Sequence, residues 1–146
     1  MKSAITLAAL LLALIGLGSV ARADGGTLRI QVTGFRNAKG DLLCALFANG
    51  SEFPGDGAMA RIKSVPSMAG AECVFGNVPM GRYAVAVVHD ENGNGKLDRV
   101  PLIGLPLEGY GVTNNKTYAT HAPRFEESAF AFDGNGELVL TVHLRN

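Results

Sequence analysis

Oxygen-bearing side chains recur at alternate positions in Asp90, Asn92 and Asn94, followed by Gly95 and, after Lys96 and Leu97, by a further carboxylate at Asp98. A calcium ion takes about six to eight oxygen ligands, and alternate spacing lets a chain wrap the ion without crossing itself. Asp90, Asn92, Asn94 and Asp98 would give side-chain oxygens, Lys96 its carbonyl, and Gly95 the sharp turn, a partial D-x-[DN]-x-[DN]-G loop. Pro101 stands where an EF-hand count would place its bidentate Glu, and no helices flank the loop. Glu108 is the candidate to complete the shell, with Glu91 as the spare. The same residues are also ordinary turn formers, because Asn and Asp side chains bond backbone amides two residues on without any ion. Calcium is therefore the one cofactor the sequence suggests, and plain turn chemistry is its competitor.

Other reactive groups are sparse. The histidines are His89, His121 and His143, with no H-x-H or H-E-x-x-H spacing for zinc. Ser51, Ser64, Ser67 and Ser128 lie in no nucleophile-elbow context. A small periplasmic hydrolase would have to gather His89, Asp90 and Glu108 beside the oxygen-rich loop. In the segment from Gly104 to Asn115, Leu105, Tyr110 and Asn114 are candidates to contact a protein, peptide or glycan partner. The competing reading is a loop packed over one end of the fold.

The elements that position these groups follow a leader. Lys2 precedes an uncharged run from Ala4 to Val20, and Ala21-Arg22-Ala23 offers a small-x-small cleavage site. Residues 1–23 therefore read as a signal peptide and 24–146 as one exported domain, periplasmic or secreted, with no membrane span once the leader is removed. Taking Lys2 and Arg22 from the 13 basic residues leaves 11 against 13 acidic ones, a formal charge of −2. That balance, without basic clusters, argues against a nucleic-acid partner. Cys44 and Cys73 fall in apolar runs of an exported chain and read as a structural disulfide. Closing a loop of 29 residues is worth about 3–4 kcal/mol in the chain-entropy account.

Thr27 to Thr33 alternates, with Leu28, Ile30 and Val32 on one face, as a half-buried strand does. Leu42 to Ala48 and Arg82 to His89 are apolar on both faces, the mark of strands covered on both sides. Ala60 to Val65 and Ala71 to Phe75 are further strands. Another is expected within Phe125 to Phe132, and the last runs from Glu137 to Arg145. Asn77 to Gly81 and Asp133 to Gly136 are tight turns. The stretch from Arg99 to Pro123 shows no period, yet Leu102, Ile103, Leu105 and Leu107 in it are expected to be buried. About seven strands without a convincing helix predict an all-β, single antiparallel sandwich, immunoglobulin-like or transthyretin-like.

The turn and strand from Phe75 through Gly76-Asn77-Val78-Pro79-Met80-Gly81-Arg82-Tyr83 into Val88 resemble those of prealbumin-like sandwiches. Joined to His89 through Asp98 and to Gly104 through Asn115, they resemble the bacterial domain-of-unknown-function family 2141. That resemblance covers nearly all of the mature chain. It implies a small exported β-sandwich and carries no catalytic residue, substrate or partner. Transthyretin-like hydrolases of purine breakdown share the sheet pattern, but their Tyr-Arg-Gly-Ser ending is replaced here by His143-Leu144-Arg145-Asn146.

Overall fold

A computed structural model describes residues 25–118 and 120–146, so the leader expected at 1–23 lies outside the described residues. The strands are β1 (Gly26–Thr33), β2 (Asp41–Phe47), β3 (Ala60–Ser64), β4 (Ala71–Val78), β5 (Gly81–Asp90), β6 (Gly109–Val112), β7 (Phe130–Phe132) and β8 (Glu137–His143), with one helical turn, α1 (Phe125–Ser128), before β7. They form two packed sheets, ordered β4-β1-β8 and β3-β2-β5-β6, with β7 pairing the start of β5.

Alternation decides the core. Leu28, Ile30 and Val32 from β1 meet Leu42, Cys44 and Leu46 from β2 and Val85 and Val87 from β5, all essentially sealed from solvent. Cys44 and Cys73 are disulfide-bonded, tying β2 of one sheet to β4 of the other through this core. The expected central position of β5 holds: β2 lies on one side, and β6 and β7 share the other. Among the described residues no helix is long and apolar enough to cross a membrane.

Three features depart from expectation. The sandwich is not wholly antiparallel: β1 and β8 run parallel, from Thr27 beside Glu137 to Thr33 beside His143. The stretch after Arg99 contains a strand, β6, whose glycines permit close packing instead of breaking the element. A Cβ on Gly111 would lie 2.7 Å from Val142 Cγ1 and 2.9 Å from the His143 carbonyl, so only a glycine lets the backbones approach. Finally, Leu102, Ile103, Leu105 and Leu107 are not buried; all are at least half exposed. They belong to a hairpin from Asp98 to Leu107, closed by Leu107 N–H to the Asp98 carbonyl and Val100 N–H to the Leu105 carbonyl. Its tip projects from the sheet, with Leu102 at φ 70°.

Candidate functional site

The last residues of β5 deliver His89 and Asp90 to one end of the sandwich, both buried although polar. Asp90 Oδ2 accepts the Gly95 N–H at 2.7 Å, and Oδ1 accepts the Asn94 N–H at 3.1 Å. The next turns repeat the pattern at shorter range, with Asn92 Oδ1 taking the Asn94 N–H and Asn94 Oδ1 the Lys96 N–H. Gly93 and Gly95 take φ of 72° and 83°, the left-handed values such turns need. Asp98 then receives the side-chain amides of Asn92 at 2.6 Å and Asn94 at 2.9 Å. Those amides, Asn94 foremost, hold the Asp98 carboxyl below its ordinary range.

Glu108 reaches this loop from the far side of the hairpin. Its Oε1 accepts the Glu91 N–H at 2.9 Å and its Oε2 the Asp98 N–H at 3.0 Å, so one buried carboxylate clips both ends of the loop. Glu91, which sequence reasoning held in reserve for an ion, is spent on Asn37 and Arg36. Burial opposes its ionised form, but the bonds from Asn37 and Arg36 outweigh it and hold the Glu91 carboxyl below its usual value.

The six residues singled out for calcium therefore sit in one loop region, but not as a ring of free oxygens. Asp90, Asn92, Asn94, Asp98 and Glu108 all use side-chain oxygens on N–H donors, and Lys96 is exposed. Among the described residues there is no cluster of three or more His, Cys, Asp or Glu side chains of metal-holding geometry. Asn92 and Asn94 converge on Asp98 through their amide nitrogens, Asp98 Oδ2 accepting from both, while their side-chain oxygens accept backbone N–H groups.

His89, named with Asp90 and Glu108 for hydrolysis, is fully enclosed. Its Nε2 lies 2.8 Å from the Lys39 carbonyl, to which it donates, and its ring meets the edge of Phe35 at 5.0 Å between centroids. His89 Nδ1 is buried without a partner among the described residues. His143 bonds Thr33 Oγ1, and His121 lies on the 113–124 segment, so the three histidines do not gather.

The residues named as a binding loop separate likewise. Tyr110 belongs to β6, where it exchanges backbone bonds with Arg145, and Leu105 is exposed on the hairpin. Asn114, at φ 68°, donates its amide to the carbonyls of Glu127 and Ala129 and so fastens the chain before α1. Leu105 and Tyr110, without Asn114, line a groove of 860 Å³ over the outer face of the five-stranded sheet. Sequence reasoning did not assign its floor of Leu43, Ala45, Ala86 and Val88 to any site, although the two-sided apolar character of β2 and β5 was the signal for it.

A family profile described as "Uncharacterized protein conserved in bacteria (DUF2141)" matches residues 30–139, from the middle of β1 into the first half of β8. The chain belongs to this family. Nothing matches among the curated proteins or the solved structures. For this DUF2141 protein the matched region contains the oxygen-rich loop, its Glu108 clip, the hairpin and the groove floor together.

Proposed function

We propose that this DUF2141 protein is an exported, non-catalytic β-sandwich that serves the cell envelope as a binding or structural module, taking a protein, peptide or glycan partner. The observation that carries the reading is how His89, Asp90 and Glu108, the residues a hydrolase would use, are employed in the fold. His89 is buried against Phe35 and the Lys39 carbonyl, while Asp90 and Glu108 point their oxygens at backbone N–H groups. A general base needs a reachable proton and a substrate-facing side; these groups face inward. The leader-like sequence supports export.

The test pairs turnover with stability. Wild-type protein should leave a panel of nitrophenyl esters and model amides intact, while Glu108→Gln and Asp90→Asn should melt at lower temperature. Hydrolysis that disappears in Glu108→Gln, with the melt unchanged, would overturn the reading.

A second reading is that calcium reinforces the loop from Asp90 to Asp98. What favours it is the meeting of Asn92, Asn94 and Asp98 at hydrogen-bond distance, in a loop whose Asp90 already organises the turn. The ion would take oxygens from these residues, the Lys96 carbonyl and Glu108 in place of some present bonds. A site of extracellular strength adds only about 0.4–1.4 kcal/mol in millimolar calcium. Melts in excess calcium and in chelator should then differ by a few degrees, with Asp90→Ala erasing the difference. Superimposable wild-type curves would end this reading.

A further inference from the structure

The outer face of the five-stranded sheet is apolar where a solvent face would be polar. Cross-strand register places Lys63, Leu43, Val88 and Tyr110 in one row across β3, β2, β5 and β6, and Arg61, Ala45, Ala86 and Val112 in the next. Beyond these rows, Phe47 and Ala84 are roofed by Phe53 and Phe125. The Leu43, Val88 and Tyr110 row has only partial cover and opens into the 860 Å³ groove, within the range of small-molecule sites. Ala45 and Ala86, small residues side by side, deepen its floor. Ile103 and Leu105, 66% and 61% exposed, stand on the hairpin that forms a wall.

The charge around this apolar trough is one-sided. Arg61, Lys63, Lys96 and Arg99 line it, against the single carboxylate of Asp56. Lys63 bonds Asp41 and Arg61 approaches Asp56 at 3.8 Å. Lys96 and Arg99 are in no ion pair among the described residues, Arg99 donating only to the Gly104 carbonyl. A cationic rim in a mature chain of net negative sequence charge selects for negative charge at the groove.

From the apolar floor, the exposed aliphatic wall and the cationic rim, we infer that this groove binds a small amphipathic anion, an unbranched apolar body carrying one carboxylate. The body lies over Leu43, Ala45, Ala86 and Val88 and is covered by Ile103 and Leu105. The carboxylate meets Arg99 and Lys96. The inference rests on the reading of the chain as a non-catalytic binding module and goes beyond it, adding a small-molecule ligand to the protein, peptide or glycan partner proposed above.

Calorimetric titration of the intact mature protein with dodecanoate, kept below its micelle concentration, tests it. One saturable site per chain is expected. Dodecyltrimethylammonium, with the same tail and the opposite charge, should bind at least about tenfold more weakly. Lys96→Glu with Arg99→Glu should weaken dodecanoate by a similar factor, and Leu105→Asp should do so through the tail. All three changes are at exposed positions, so circular dichroism should show an unaltered fold. Absence of saturable binding, equal affinity for the two head groups, or indifference to Leu105→Asp each overturns the assignment. Those failures leave the non-catalytic reading standing, because that reading is judged by turnover.

Discussion

Asp90 and Gly95 are joined by a 2.7 Å bond from the Gly95 N–H into the Asp90 carboxylate, with the carboxylate buried at the end of β5. Asp90→Asn keeps the shape but turns one acceptor into a donor facing the N–H of Asn94 or Gly95. A buried donor left unmatched costs about 1–3 kcal/mol. Urea unfolding should show a midpoint lowered accordingly, with the slope unchanged.

Glu108 is the clip between Glu91 and Asp98, and its removal should register locally first. Glu108→Ala strands both backbone N–H groups, so their hydrogen exchange should accelerate by at least about tenfold relative to amides in the middle of β5. Glu126→Ala, which removes an exposed partner of Arg82, should leave those two amides unchanged. Equal exchange in Glu108→Ala and wild type would show that the loop holds itself without the clip.

Acid should loosen the loop. Asp98 and Glu91 both titrate below their ordinary values in the fold. Their stabilising contribution is therefore complete above the unfolded values, near pH 4, and is lost as pH falls through the lower folded values. Melting temperature should be level from about pH 7 to pH 5 and decline below about pH 4.5. Asp98→Asn should shallow that decline slightly, since Asp98 is solvent-screened. A decline beginning at neutral pH would implicate another group.

Leu102 holds a left-handed backbone, φ 70°, with its side chain wholly exposed. That conformation costs a non-glycine residue about 1–2 kcal/mol, and no buried contact offsets it. Leu102→Gly should raise stability by about 0.5–1 kcal/mol after the entropy glycine adds to the unfolded chain. Thermal unfolding checks this, and a fall in melting temperature would mean that the Leu102 side chain has a partner in the folded protein.

Alternation made β1 and β8 readable, and unbroken apolar runs bounded by turn residues did the same for β2 and β5, which are covered on both faces. The Cys44 and Cys73 pair was equally plain. β6 was not, since Gly109 and Gly111 look like breakers when only the chain is seen. Their role is set by Val142, His143 and Asn146 arriving from 30 residues or more downstream. The leucines of the hairpin misled for a related reason: hydrophobicity predicts burial, and nothing local says that Asp98 and Leu107 pair and lift the tip clear. At the site, the spacing of Asp90, Asn92 and Asn94 located the loop correctly. The anchoring of Glu108 to Glu91 and Asp98 depended on the folded hairpin bringing it back.

The parallel pairing of β1 with β8 places Gly26 and Asn146 at opposite poles. Gly26 lies near Gly136 and Phe132, whereas Asn146 packs beside Gly109 and donates to the Gly34 carbonyl. Gly26 itself lies at the pole away from Asp90. Tethering by that end, to a bead or a sensor chip, would display the oxygen-rich loop outward, while an appendage after Asn146 would crowd it.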